Sequence, residues 1–169
     1  DASTTGNAVL YIVDIETGDL IKKIDTGEGA AGTPNGLATP LLVDQNSDFI
    51  VDYIYAGDLL GNMWKFDVTS ALTSGWEIAY SAPLFTTDAN QPITSQPQAA
   101  FHPDNLQGFM IYFGTGQYLE TTDNDPNNQP LQAFYGIWDK NESMLTAFDS
   151  DDLLVQTIDN QYDQEFDTD

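Results

Sequence analysis

Four oxygen-bearing side chains, Asp44, Asn46, Asp48 and Asp52, stand at positions 1, 3, 5 and 9 of the stretch DQNSDFIVD. Alternation of this kind turns side chains toward one centre, and an all-oxygen set suits a hard cation. Ca²⁺ accepts about 6–8 oxygens at about 2.3–2.6 Å. The helix-flanked form of such a loop carries Gly at its sixth position and a bidentate Glu at its twelfth. Here those positions hold Phe49 and Tyr55, so the stretch is not an EF-hand. The strand-like YIYAGD that follows makes it a shorter calcium loop set between β-strands. The other reading of the same spacing is an acidic turn in an aspartate-rich chain.

Other groupings carry less chemistry. Asp123 and Asp125 open a second cation-like run, but Pro126 stiffens it and Leu131 occupies its ninth position, which fits an exposed insertion better. Gly57-Asp58 and Gly114-Thr115-Gly116 read as strand-end turns, with no following helix to cradle a phosphate. His102 is the only histidine and precedes Pro103, as in a turn. A Ser/His/Asp triad would have to use it, and no G-x-S-x-G nucleophile motif is present. No pair among the acids is singled out for glycoside hydrolysis. The expectation is a protein that binds and does not catalyse.

The chain has 169 residues, enough for one domain with a true core, and its apolar content is that of a folded protein. Its net charge is −23, its only cations are Lys22, Lys23, Lys65 and Lys140, and arginine is absent. Such a chain repels nucleic acid and anionic membranes, and it favours cations, basic partners or a salty or cold habitat in which a hydrated acidic surface keeps the protein soluble. The absence of cysteine excludes disulfides, thiolate catalysis and thiolate zinc sites. No apolar run is long enough to span a membrane. The first residues, DASTTGNAV, lack the basic and apolar parts of a secretory signal, so an exported protein would carry its signal upstream.

The elements that must position the loop read as β almost throughout. Short runs rich in Val, Ile, Tyr, Phe and Trp, separated by Gly, Asn, Asp and Pro, predict strands at 8–14, 19–25, 37–43, 51–57, 62–68, 75–80, 96–101, 109–114, 133–139 and 153–158. Only 142–148 hints at a helix, and it is short.

These strands recur. Thr39-Pro40-Leu-Leu-Val opens a unit that runs through YIYAGD to WKFD, and Gln96-Pro97-Gln-Ala-Ala-Phe opens another that runs through MIYFGTG to GIWD. LYIVD matches the third strand of the unit, and residues from Thr17 onward supply its fourth. Four short strands per repeat is the signature of propeller blades. The expected fold class is all-β: a partial β-propeller of about two and a half four-stranded antiparallel blades, all of 1–160 belonging to one domain. An outer half-blade spans 1–30, a blade with the calcium loop 36–85, and a blade with an inserted loop at 116–132 spans 92–160. Residues 161–169 read as a frayed acidic tail. A closed propeller needs about 4–8 blades, so the end blades would present faces for further blades or for another chain. The aromatics on the strands, Tyr55, Trp64, Phe66, Trp76, Phe113, Tyr135 and Trp138, are expected to pack between blades.

The blocks GNAVLYIVDIETGDLIKKIDTG, GLATPLLVDQNSDFIVDYIYAGDLLGNMWKFDV, PITSQPQAAFHP, MIYFGTGQYLE and FYGIWD occur in the order found in a known family. Over roughly residues 6–158 the chain resembles the C-terminal propeller of PilY/PilC-type type IV pilus biogenesis factors and tip-associated adhesins. The resemblance implies a modified, quinoprotein-like seven-bladed propeller. It also implies a location at the cell surface, pilus tip or outer membrane of a Gram-negative bacterium, with minor pilins and a host or abiotic surface as partners. In that family a calcium loop controls pilus extension against retraction. The family's ligand positions fall here on Asp44, Asn46, Asp48 and Asp52, with the Ile50 carbonyl as backbone ligand. Asn46 removes one charge, and Phe49 stands where a Gly often eases the turn. Both departures bear on affinity, and the weak extracellular range of about 10⁻⁴–10⁻³ M is expected. Two other readings are open. One is part of a quinoprotein-like extracellular oxidoreductase, to which Asp14–Gly18 bears some likeness. The other is a β-module whose calcium is purely structural.

Overall fold

A computed structural model describes residues 5–80, 82–89, 91–104, 106–119, 121–125, 130–142 and 148–156. The strands form where β-branched and aromatic residues are bracketed by turn formers. β1 (Asn7–Val13) pairs antiparallel with β2 (Leu20–Gly29) as a two-stranded sheet. β3 (Leu41–Val43), β4 (Tyr53–Gly57), β5 (Asn62–Asp67) and β6 (Glu77–Ile78) follow as an antiparallel meander. β7 (Phe85–Thr86) lies along the other end of β5, so the outer strand of this sheet is split in two. β8 (Gln98–Phe101), β9 (Phe109–Gly114) and β10 (Phe134–Asp139) make a three-stranded sheet. The arrangement is that of a partial propeller, mostly β and without a closed sheet. Among the described residues no helix is long and apolar enough to cross a membrane.

The middle sheet is covered on both faces. From β4, Ile54 and Ala56 point to a cluster with Leu10, Ile24, Trp64, Phe66 and Val68, against the first sheet. Tyr55 points the other way, to a cluster with Met63, Phe85, Ile111, Phe113 and Ile137, against the third. Alternation along the pleat makes this two-sided packing possible, and each large side chain so buried contributes about 1.5–3 kcal/mol. Tyr55, Trp64, Phe66, Phe113 and Tyr135 are all buried, as expected of blade packing, whereas Trp76 and Trp138 are only half-buried.

Two features differ from the pattern of the sequence. β7 was not expected; it forms because Phe85 fits a core that already holds Phe113 and Tyr135, at ring separations of 6.0 and 5.1 Å. No strand forms over 153–156, and 157–158 lie outside the described residues. Instead β11 (Phe148–Asp149) turns back and pairs parallel with β7, its Phe148 ring 5.3 Å from Phe85. Asp149 then caps a 3₁₀ turn at Ser150–Asp152, which ends the strand. The third sheet therefore shows three strands where four were expected. The helix hinted at 142–148 and the tail at 161–169 lie mainly or wholly outside the described residues.

The YAGDLLGNMWKFD block owes its composition to one turn. Asp58 is fully buried; its Oδ1 accepts from the Leu60 and Asn62 amides, each at 2.9 Å. Its Oδ2 accepts from Asn35 Nδ2 at 2.8 Å, Asn62 Nδ2 at 3.0 Å and Trp64 Nε1 at 2.8 Å. Gly61 closes the turn at φ +86°, and at Gly57 a Cβ would lie 2.2 Å from the Ile93 side chain. Asp58→Ala removes every acceptor of that set and strands buried donors. We expect a loss of about 2–4 kcal/mol in chemical denaturation; a change under 1 kcal/mol would contradict this account of the turn.

Candidate metal centre

The loop 44–52 is held at both ends by the β3–β4 hairpin. Val43 pairs with Tyr53, and the Asp52 amide donates to the Val43 carbonyl at 2.9 Å. Between them the chain coils on its own side chains. Asp44 Oδ1 accepts from the Ser47 amide at 2.7 Å, and its Oδ2 accepts from the Phe49 amide at 2.8 Å. Asn46 Oδ1 accepts from the Asp48 amide at 2.9 Å, and Asp48 Oδ1 from the Ile50 amide at 2.8 Å. Asp52 Oδ2 reaches back across the loop to the Gln45 amide at 2.7 Å. Ser47 and Phe49 take left-handed conformations at φ 63° and 70°, uncommon for non-glycine residues. They make the coil tight and throw the Phe49 and Ile50 side chains outward, 98% and 66% exposed.

The expected positions thus share one nine-residue coil, with Asp44, Asn46, Asp48 and Asp52 all turned into it. The donor set fits a hard divalent ion by its chemistry: oxygen only, three carboxylates and one amide. It is not assembled as described, because among the described residues no three acidic or histidine side chains stand close enough together to hold a metal. Asp48 Oδ2 and Asp52 Oδ1 take no hydrogen bond among the described residues, so those oxygens are available without breaking the coil. Asn46, Asp48, Ile50 and Asp52 also wall a largely apolar cavity of about 830 Å³, with Leu10, Ile12, Leu42, Val68 and Trp76.

Behind the loop lies a buried polar cage with no counterpart in the sequence reading. Lys65, in the middle of β5, is 1% exposed and meets the Asp139 carboxylate of β10 at 2.7 Å. Tyr55 and Tyr80 hydroxyls donate to that carboxylate at 2.6 Å each, and the Asn141 amide donates to it at 3.0 Å. The ammonium also donates to Asn141 Oδ1 at 2.7 Å and sits 4.1 Å from the Tyr53 ring centre, an attractive cation–π geometry. Burial pushes Lys65 down from its ordinary range, against the pull of Asp139. Burial alone would raise Asp139, but Lys65 and the two tyrosine hydroxyls outweigh it and hold the carboxyl low. Four donors on one carboxylate favour its charged form. The sequence signal was there: Lys65 interrupts the apolar NMWKF strand, and a lysine flanked by buried positions needs an acid.

Other singled-out residues have local roles. His102 Nδ1 accepts from the Asp104 amide at 3.2 Å and its ring lies tilted against Trp138 with centroids 4.6 Å apart, as a turn residue. Asp123 lies in the 3₁₀ turn Thr121–Asn124 and accepts from the Leu119 amide, and 126–129 of that stretch fall outside the described residues.

Stacked antiparallel sheets with a coiled acidic loop at one end define a β-propeller segment with a candidate cation loop. A family model described as the PilY1 beta-propeller domain matches residues 2–169. The chain is 35% identical over 191 residues to the type IV pilus biogenesis factor PilY1 of Pseudomonas aeruginosa (strain PAO1), covering 98% of this chain and 16% of that protein. It is 37% identical over 163 residues to a PilY1 homolog of Xylella fastidiosa (strain Temecula1), covering 86% of this chain and 11% of the relative. The crystal structure of the Pseudomonas aeruginosa PilY1 C-terminal domain superposes with a TM-score of 0.73 at 37% identity, over 80% of this chain and 32% of that one. The chain belongs to the PilY1 beta-propeller family and spans only a small part of these relatives' length. The relatives are named as biogenesis factors, not as enzymes.

Removing the cation from the cage strands a buried carboxylate. Lys65→Met should cost about 3–5 kcal/mol in denaturant unfolding. Replacing both partners (Lys65→Met with Asp139→Leu) removes the stranded charge but leaves the Tyr55 and Tyr80 hydroxyls without their acceptor, so it should recover only part of that loss. Because Asp139 is held low in the fold, its contribution is complete above the ordinary carboxylate pKa of about 3.9 and disappears as pH falls through its lowered value. The wild-type melting temperature should therefore drop steeply in acid. In the double variant the Asp139 part of that drop should be absent; an unchanged acid profile counts against the pair.

Proposed function

We propose that this chain is a calcium-responsive propeller segment of a type IV pilus biogenesis factor, acting by binding. The observation that carries the reading is the coil at 44–52, where Asp44, Asn46, Asp48 and Asp52 gather an all-oxygen donor set into one nine-residue loop closed by the β3–β4 hairpin. Family membership supports it, since the relatives are pilus biogenesis factors by name. Calcium bound there supplies the positive charge that offsets repulsion among three carboxylates. The ligands in this reading are those four side chains and the Ile50 carbonyl. Asp52 joins the loop to β4, and Asp44 joins it to β3, so holding both side chains fixes both strand ends. Part of the binding free energy then becomes local folding free energy.

Function follows from what the loop presents. With the coil ordered, the exposed Phe49 and Ile50 sit at fixed positions on one propeller surface; with it frayed, that surface is lost. Such a switch would govern pilus extension against retraction and adhesion to a host or abiotic surface. Its partners would be pilus components such as minor pilins, at the cell surface or pilus tip. The exposed apolar tip favours this reading over purely structural calcium, which needs no apolar display.

The test is calcium titration by calorimetry on the intact protein that carries this chain, as wild type and as Asp52→Ala. One equivalent of binding, with Kd in the range of about 10⁻⁴–10⁻³ M, should be present in the first and missing in the second. Folded wild type that takes up no calcium at millimolar concentration would overturn the reading. In cells, Asp52→Ala should change surface piliation; normal piliation with binding abolished would leave a structural ion and remove the switch.

A further inference from the structure

Gln45, inside the loop, and Tyr53, just beyond it, are gripped by one residue far along the chain. Asn141 Nδ2 donates to Gln45 Oε1 at 3.3 Å and to the Tyr53 hydroxyl at 3.1 Å. Its Oδ1 accepts from Lys65 Nζ at 2.7 Å, and its amide donates to Asp139 Oδ1 at 3.0 Å. Gln45 in turn gives its own amide to Asp52 Oδ2 at 2.7 Å. A continuous chain of hydrogen bonds therefore runs from Asp52 through Gln45 and Asn141 to the buried Lys65–Asp139 pair. It crosses from the β3–β7 sheet to the end of β10. Asn141 holds a left-handed conformation at φ 55°, which aims one short side chain at both groups at once.

We propose that Asn141 is a positioning residue for the metal loop, setting its affinity by anchoring Gln45 and Tyr53 to the ion pair between the two sheets. This inference rests on the calcium reading of the loop and names what tunes it. The loop's own coil is made of side-chain-to-amide bonds between near neighbours, which order it only locally. An anchor on a buried, fully bonded cage removes freedom that ion binding would otherwise have to remove, and pre-organisation of that kind raises affinity. Linkage makes the effect reciprocal. An ion that fixes Asp52 and Gln45 also tightens Asn141 against Asp139, and so the contact between the sheets. The loop thereby reports to the interior of the propeller as well as to its surface.

The experiment uses the intact protein as wild type, Asn141→Gly, Gln45→Ala and the double variant. Glycine keeps the left-handed backbone and its amide donor while removing the side chain. Gln45 is exposed, so Gln45→Ala tests the link even if Asn141→Gly fails to fold. Calcium titration should show affinity about 3- to 10-fold weaker in Asn141→Gly, the size of coupling within one hydrogen-bond network. Gln45→Ala should weaken it by a smaller factor, and the double variant should be no weaker than Asn141→Gly alone. Calcium should also slow hydrogen exchange at the Asn141 amide in wild type and not in Gln45→Ala, a readout that a merely structural Asn141 would not give. Wild-type-like affinity in both single variants, or additive losses in the double, would overturn the proposal while leaving the calcium site standing. Absence of calcium binding to folded wild type would overturn both.

Discussion

Strands β4 and β5 are buried on both faces, and this constraint organises everything around them. A sheet with two dry faces can carry almost no polar group, yet β5 places Lys65 in its middle. The lysine is tolerated because the neighbouring sheet brings Asp139 to 2.7 Å and because Tyr55, Tyr80 and Asn141 complete the set. A buried pair of this kind adds little net stability over a well-packed apolar one, but breaking it is costly. Its effect is therefore on register: of the ways the two sheets could slide, only one brings these partners together.

The same constraint places the acidic loop. The β3–β4 turn cannot enter the packed faces, so it emerges at the sheet's end, where three carboxylates can stay hydrated. One wall of the loop faces an apolar cavity, another reaches the ion pair through Gln45 and Asn141. The loop is thus tied to the interior through Gln45 as well as closed by the hairpin. Net charge adds to this. At −23 the chain repels itself, and cations of any kind relieve that repulsion, weakly when diffuse and strongly when held at a built site.

Much of the architecture was legible beforehand because propeller strands obey a period of two and are punctuated by Gly, Asn, Asp and Pro. Nine of the ten expected strands have a counterpart in the structure, though β3 and β6 are shorter than the pattern suggested. The departures have one cause. β7 and β11 are two-residue strands fixed by the contact of Phe85 with Phe148, and no local pattern distinguishes such a pair from loop. The acidic loop between β3 and β4 was legible as a turn, whereas the hydrogen bonds that coil it depend on left-handed turns at Ser47 and Phe49, which their residue types disfavour.

By itself the sequence determined the class of fold, the repeat, the nine-residue acidic loop and the family, because each is written in contiguous residues and short periods. Only the tertiary structure decided which acid answers Lys65, that Asn141 ties the loop to that pair, and that the chain turns back at Phe148 to the sheet before it. Those facts join residues 96 positions apart at Gln45 and Asn141. Contacts at that separation are chosen by how sheets stack, and stacking is settled by the shape and burial of whole faces, which no local stretch of chain encodes.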